Sequence, residues 1–467
     1  MSETQKEKLI TFAEHGGLDE LCNRKEDVAA FNELLNAKHS LPTQAPSDDS
    51  VKNVKYLGIS KNGNIVKAHY YIGASWFVEN ECAFVVKPKV DVDYVNLFMT
   101  ALEMNSENEA EYFSNYYYID FEKPAINTNS LDNVITPLLI LHYISLLRHL
   151  VSRGLKKGYV VKEENLQSKI RGRILLQKHL TKNVFTKSED RVYCRFQEFT
   201  EDIPENRILK KALSFSVRFI NGFESFKKHV DELNKSLSFI TPAFENISED
   251  VTISQVVKVN AGKIFRHYEG TIKVAKMILR HFDYSIDKMA DKKQEVRPFC
   301  IDMPRLYEMY VLSRLRKAYG NTIQFQVRGR HKTMVDFIKT DEKIIMDAKY
   351  KPHYDEGNAG IVDDIREISG YARDKSILKA LDWYKGNGIS ADGKLGKLFP
   401  DCVIIYPVIM PETNDDGESV GIQKNDCKFW DGSNLLEKII DESRPEICNP
   451  IDAFEGFYKM AIPLPKK

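Results

Sequence analysis

The chain has 467 residues, 43% of them hydrophobic and 29% charged, which is the composition of a folded, water-compatible protein long enough for two to four domains. Its 67 basic and 67 acidic residues cancel, so any nucleic-acid surface has to be a local patch. Seven scattered cysteines, with no C-x-x-C pair, exclude a zinc module of the usual spacing and suit a reducing, cytoplasmic setting.

Residues 1–50 form an N-terminal extension and linker. The spacing predicts a short helix around Glu7–Glu14, and Leu41-Pro-Thr-Gln-Ala-Pro-Ser-Asp-Asp-Ser50 has linker composition. The polar start carries no signal-peptide pattern, and no chemistry is visible in this stretch. Residues 51–125 read as a small β-rich module. Tyr56–Ser60 and Asn64–Gly73 are short strands around the turn signal Lys61-Asn-Gly-Asn64. A second hairpin pairs Ala74–Val78 with Cys82–Lys89, and Asp91–Met104 is more helical.

Residues 126–290 form a mainly helical middle region. Val134–Val151 is apolar enough to suggest a membrane span, but it holds His142, Arg148 and Pro137, so a buried core helix over Thr136–Arg153 is expected. A basic stretch with Lys169, Arg171 and Arg173 follows, where contact with phosphate competes with plain solvation. Then come a strand near Val192–Asp202 and a helix over Asn206–Phe219.

The chemistry concentrates in residues 291–467. Asp302 is placed to N-cap an amphipathic helix whose apolar stripe is Leu306, Met309, Tyr310 and Leu315, with Glu308 beside it. After a strand over Ile323–Arg328, residues Thr333 to Tyr350 read as a β-hairpin about the polar turn Thr340-Asp341-Glu342-Lys343. A symmetric turn opposes Ile338 with Ile345, Phe337 with Met346 and Asp336 with Asp347. Facing carboxylates destabilise a sheet unless something offsets them. A divalent cation does, and oxygen ligands of this kind suit Mg²⁺. Lys349 shares a face with Asp347. It could orient or deprotonate the attacking water, or steady the phosphate. This is the D…(D/E)xK arrangement of metal-dependent phosphodiester hydrolysis; the bland alternative is a surface hairpin with solvated charges. A helix over Val362–Lys385 carries Arg366, Glu367, Tyr371, Arg373 and Lys375 beside the stripe Ile365, Ile368, Ala372 and Leu381. Asp401–Met410 is a continuous apolar run, as in the buried centre of a sheet. The order helix, three strands, helix, strand gives a mixed sheet flanked by helices.

Taken together, Glu308, Asp336, Asp347-Ala-Lys349 and Arg366-Glu-Ile-Ser-Gly-Tyr371 resemble the PD-(D/E)xK nuclease core. More narrowly, the chain resembles McrC, the nuclease subunit of McrBC-type, modification-dependent restriction systems. Asp302-Met-Pro-Arg-Leu-Tyr-Glu308 is similar to a helix of that family. Arg171-Gly-Arg-Ile-Leu175 and Phe196–Lys210 are similar to its middle region, and Tyr71–Trp76 and Val85–Lys89 to its β module. The likeness runs from about residue 55 to 410. Val335 stands where the motif's name has Pro, and Glu367 where Gln is common.

The resemblance implies an α+β multidomain chain ending in a restriction-endonuclease-like α/β domain. It implies a Mg²⁺-dependent type IV endonuclease subunit with Asp336, Asp347 and Glu308 as metal ligands and Lys349 as the catalytic lysine. Glu367 and Tyr371 would support the site, and Arg366, Arg373 and Lys375 would meet DNA. The implied partners are a McrB-like GTP-hydrolysing AAA+ ring, stimulated by residues of the 51–125 module, and modified double-stranded DNA. The chain has no G-x-x-x-x-G-K-[ST], so nucleotide-driven movement would come from another subunit. One site cuts one strand, so duplex cleavage needs a homodimer through the nuclease domain or two successive events. A non-catalytic assembly factor or GTPase activator, and an RNA- or structure-specific nuclease, are the competing readings.

Overall fold

The computed structural model describes residues 8–14, 28–29, 31, 59–62, 65–89, 92–103, 113–127, 132–188, 190–256, 267–286, 295–330, 333–351, 359–384, 398–408, 412–413, 419–420, 449–451 and 454–465. It is a mixed α+β chain of two compact units. One comprises Met1–Leu138 with Lys293–Lys467, and the other Leu139–Lys292.

The first unit holds two sheets. The five-stranded sheet runs in the order Lys8–Ala13, Cys82–Lys87, Tyr71–Val78, Phe299–Asp302, Tyr117–Ile119. The helix expected near Glu7–Glu14 is instead the first of these strands, paired in parallel with Cys82–Lys87. Ile10 and Phe12 alternate into a core with Phe31, Phe77 and Phe84, and that packing overrides a weak local helix preference. Tyr71–Val78 and Cys82–Lys87 form the expected hairpin, with an irregularity between Trp76 and Val78. The linker segment 41–50 lies outside the described residues.

Phe299–Asp302 enters this sheet from far along the chain and pairs antiparallel with both neighbours. Its backbone comes so close to Gly73 that a Cβ there would lie 2.1 Å from the Phe299 carbonyl oxygen. Only glycine fits that position. The strand leads directly into the helix Met303–Tyr319, which starts as expected with Asp302 accepting the Arg305 N–H at 3.2 Å. Leu306, Met309, Tyr310 and Leu315 are all buried.

The six-stranded sheet runs in the order Ile323–Arg328, Met334–Lys339, Ile344–Ala348, Cys402–Val408, Phe457–Pro463, Asn449–Pro450. The first three strands form an antiparallel meander. Ile344–Ala348, Cys402–Val408 and Phe457–Pro463 are parallel to one another. The hairpin pairs Phe337 with Met346 and Ile338 with Ile345, as the turn composition predicts. Cys402–Val408 is buried over six of its seven residues, matching its continuous apolar sequence. The strand Phe457–Pro463 was not foreseen in the tail.

One long helix was expected over Val362–Lys385. Two are present, Ala359–Tyr371 and Lys375–Ala380, and Lys385 lies outside the described residues. The break occurs because Asp374 caps a new helix, its side chain accepting the Ser376 N–H at 2.7 Å. The predicted stripe survives the break: Ile365, Ile368, Ala372 and Leu381 pack with Ile345 and Ile404 in one core. Burying each such side chain contributes roughly 1.5–3 kcal/mol.

In the second unit, Gly158–Gln167, Arg191–Thr200 and Arg173–Ile174 form an antiparallel sheet with Arg191–Thr200 central. The helices Pro204–Gly222, Val230–Ile240 and His267–Ile286 accompany it. Buried polar groups find partners there: Tyr143 donates to the Leu209 carbonyl at 2.6 Å and Tyr268 to Asn206 at 3.0 Å. The helix Asp132–Arg153 spans the division between units. Its Val134–Arg153 stretch is apolar and long enough to cross a membrane, and 78% of an 18-residue window in it is buried inside the protein.

Candidate active site

The hairpin and the two helices beside the six-stranded sheet bring the sequence-predicted residues together. Asp336, in the middle of Met334–Lys339, accepts the backbone N–H of Ala348 at 2.8 Å. That bond ties it to the strand carrying Asp347. The two acids share one neighbourhood, and the negative charge of Asp347 helps raise the Asp336 carboxyl. Asp347 is only 3% exposed.

Lys349 reaches two carboxylates. Its Nζ lies 2.8 Å from Asp347 Oδ2 and 2.7 Å from Glu367 Oε2. Glu367 is held in turn by the Tyr371 hydroxyl, which donates to Oε1 at 2.9 Å. Glu367 and Tyr371 lie one turn apart in Ala359–Tyr371, so a single helix face presents both. Four of the predicted residues thus form one chain: Asp347, Lys349, Glu367 and Tyr371.

The electrostatics are those of carboxylates crowded without enough positive charge. Burial, then Glu308 and Asp347, push the Asp336 carboxyl well above its ordinary range. Burial raises Asp347 as well, against the pull of Lys349. Glu308, half-buried on Met303–Tyr319, is pushed up to about 8 by burial and by Asp302, with Arg305 acting the other way. Burial works against the Lys349 ammonium, but Asp347 and Glu367 outweigh it and hold its pKa above the ordinary lysine value. Lys349 therefore stays protonated near neutral pH. It can donate hydrogen bonds and charge, and it is a poor base.

A cation fits this donor set. Asp347 Oδ2 is buried and receives no aligned hydrogen bond, although Lys349 stands at ion-pair distance. Among the described residues no three His, Cys, Asp or Glu side chains form a ready-made metal cluster. Magnesium does not require one, since it binds through one or two carboxylates and completes its shell with water and phosphate. Asp336 and Asp347 would hold it, with Glu308 as the further carboxylate.

A profile of the McrBC family, described as the McrBC 5-methylcytosine restriction system component, matches residues 67–364, well over half of the chain. The chain belongs to this McrBC family. No curated protein matches it. Among solved structures, it is similar to a half-complex of Thermococcus gammatolerans McrB AAA+ hexamers with bound McrC. That likeness has 15% identity and a TM-score of 0.39, and covers 97% of this chain and 94% of that one. It is also similar to a cryo-EM structure of the Thermococcus gammatolerans McrBC complex, at 15% identity and TM-score 0.29, covering 66% of this chain and 87% of that one. The McrBC match takes in Glu308, Asp336, Asp347 and Lys349 and stops before Glu367 and Tyr371.

The three DNA-contact candidates are exposed but differ in their surroundings. Arg366 pairs with Asp363 at 3.1 Å. Arg373 donates to the Ser369 carbonyl and lies over the Phe399 ring. Lys375 opens the helix Lys375–Ala380. In the second unit, Arg171 lies 4.5 Å from the Phe196 ring centroid and 3.5 Å from Glu198, while Lys169 and Arg173 are exposed.

Sequence reasoning passed over two groups near the site. Arg305, 3.5 Å from Asp302 Oδ2, is the cation that moderates both Asp302 and Glu308. Its position one turn from Glu308 on the same helix was the available signal. Glu14, in the stretch taken to hold no chemistry, is fully buried beside Tyr350, the residue after Lys349. The Tyr350 hydroxyl stands 3.5 Å from Glu14 Oε2. No local pattern announced that contact.

Proposed function

We propose that this chain is the Mg²⁺-dependent DNA endonuclease subunit of a modification-dependent restriction system. Its residues 291–467 would act as a nuclease domain of PD-(D/E)xK type. The observation that carries the reading is the convergence of Asp336 and Lys349 on the buried Asp347, whose Oδ2 lacks an aligned donor. Membership of a family described as a restriction-system component supports it.

Asp336 and Asp347 would hold the ion, with Glu308 behind them. The bound ion would supply positive charge beside the scissile phosphate and offset the charge that builds up in the transition state. Lys349, kept protonated by Asp347 and Glu367, donates hydrogen bonds to the attacking water or to the phosphate and fixes the line of attack. Glu367, itself fixed by Tyr371, limits the Lys349 ammonium to one position. The sheet behind these groups packs an apolar core, whose low polarity strengthens the charge interactions beside it.

The partner in this reading is a GTP-hydrolysing AAA+ ring of McrB type, and double-stranded, modified DNA is the substrate. The lack of a P-loop in this chain is consistent with a separate motor. The two similar solved structures are themselves assemblies of McrB with McrC or of McrBC. The alternative is a non-catalytic assembly factor or GTPase activator. The complete Asp336–Asp347–Lys349 set favours catalysis over that role.

Plasmid cleavage with Mg²⁺, GTP and the ring separates the two. Loss of cutting in Asp347→Asn with GTPase stimulation retained supports a nuclease. Unchanged cutting would remove Asp347 from the mechanism.

A further inference from the structure

The nuclease reading leaves the corner around Asp374 without a role. One oxygen of Asp374 caps the helix Lys375–Ala380. The other reaches across to the connection between Ile323–Arg328 and Met334–Lys339. There Oδ2 accepts the Arg330 N–H at 2.6 Å and lies 3.4 Å from Thr333 Oγ1. The Thr333 hydroxyl donates to the Arg330 carbonyl at 2.7 Å, and the Gly329 N–H donates to the Thr333 carbonyl at 2.9 Å. A Cβ on Gly329 would lie 2.4 Å from Thr333 Oγ1 and 2.5 Å from Asp374 Oδ2, so any other residue there would displace the Thr333 and Asp374 side chains from this contact.

Four basic residues lie along the two segments that this carboxylate joins: Arg328 at the strand end and Arg330 two residues on, with Arg373 and Lys375 flanking Asp374 in sequence. Arg328, Arg330 and Lys375 are exposed and form no ion pair with any described residue. Scattered exposed cations are ordinarily just solvated. The backbone N–H groups of Gly329 and Arg330 are both hydrogen-bonded, and this backbone runs into the strand that carries Asp336. Arg328 pairs with Met334, two residues before Asp336, or about 7 Å along the strand. On the other side the Asp374 N–H bonds the carbonyl of Tyr371, which holds Glu367. Each strand of a duplex carries a phosphate about every 3.4 Å along its axis. A displacement of this size therefore reaches the phosphates next to the one at Asp336 and Asp347.

We propose that Arg328 and Arg330 grip backbone phosphates of duplex DNA beside the scissile one, on a turn that Asp374 holds in place. The inference rests on the nuclease reading of the adjacent carboxylates. It adds phosphate contacts from the strand connection that Asp374 ties to the end of the helix Ala359–Tyr371.

The test is binding of a fluorescent duplex to the full-length chain, followed by anisotropy over a salt series in chelator, with cleavage in Mg²⁺, GTP and the ring measured separately. The double variant Arg328→Ala/Arg330→Ala should bind more weakly, and its slope of log affinity against log salt should be shallower by about 2. Asp347→Asn should keep the wild-type slope. Asp374→Asn keeps the oxygen that caps Ser376 and removes the acceptor for Arg330, so its affinity should fall while its thermal melt stays near wild type. If the double variant binds with wild-type affinity and slope, or the wild-type chain does not bind duplex at all, the phosphate contacts are overturned. If binding responds as expected but no preparation cuts in Mg²⁺ with GTP and the ring present, the phosphate contacts stand and the nuclease reading fails. If cutting depends on Asp347 while the arginines leave binding unchanged, only the phosphate contacts fail.

Discussion

Lys349 Nζ lies 2.8 Å from Asp347 Oδ2, yet that buried oxygen receives no aligned hydrogen bond. The pair is an ion pair that leaves one lone-pair direction of the carboxylate open. An acid in that position is costly to bury unless a second positive charge completes it.

Removing Lys349 should therefore damage the chemistry more than the fold. Lys349→Met is expected to cut about 100- to 1,000-fold more slowly, in the range found for loss of one transition-state donor. Single-turnover cleavage with bound duplex measures this. Because Lys349 is held protonated, the pH–rate profile of the wild type should show no rising limb that Lys349→Arg abolishes.

Glu367→Gln should be mild. The amide can still accept from Tyr371, and Lys349 retains Asp347. Cleavage is expected to stay within about tenfold of wild type, which is under roughly 1.4 kcal/mol on the barrier. A loss comparable to that of Asp347→Asn would mean that Glu367 touches the reacting groups.

Glu308→Gln should separate stability from function. Glu308 is pushed up to about 8, so in metal-free protein above that pH its ionised form sits unfavourably near Asp302 and Asp347. Scanning calorimetry in chelator at pH 9 should show a higher melting temperature for the variant. Added Mg²⁺ should raise its melting temperature less than that of the wild type.

Glu14, next to Tyr350, gives a pH signature from a group that would not hold the metal. Burial pushes it up to about 7, against the Lys89 N–H and ammonium and the Tyr350 hydroxyl, with Asp302 adding to the rise. The folded pKa lies above the unfolded value. Its contribution to stability is therefore fully present below about 4.5 and lost as pH rises through about 7. The full swing is about 3 kcal/mol. Hydrogen exchange at Ile10 and Phe12 should speed up over that window in the wild type and much less in Glu14→Gln.

What could be read from the sequence divides along physical lines. The hairpin register, the Asp302 cap and the buried run Cys402–Val408 were legible because each is set by local turn chemistry or by an apolar pattern. The Asp336–Asp347–Lys349 grouping followed from that register. The first strand was misread as a helix because Lys8–Ala13 takes its conformation from pairing with Cys82–Lys87, about seventy residues away. The helix break at Asp374 was missed although Asp374-Lys375-Ser376 is a fair capping sequence, because the apolar stripe continues through it. The Glu14–Tyr350 contact and the insertion of Phe299–Asp302 beside Gly73 depend on distant segments meeting, and no periodicity encodes that.

The central claim is that Asp336 and Asp347 share one divalent cation. The most direct measurement is anomalous diffraction from crystals of the chain grown with Mn²⁺ in place of Mg²⁺. An anomalous peak within coordination distance of both carboxylates, and absent in Asp347→Asn, is the predicted result. Well-ordered carboxylates with no peak between them at saturating Mn²⁺ would contradict it.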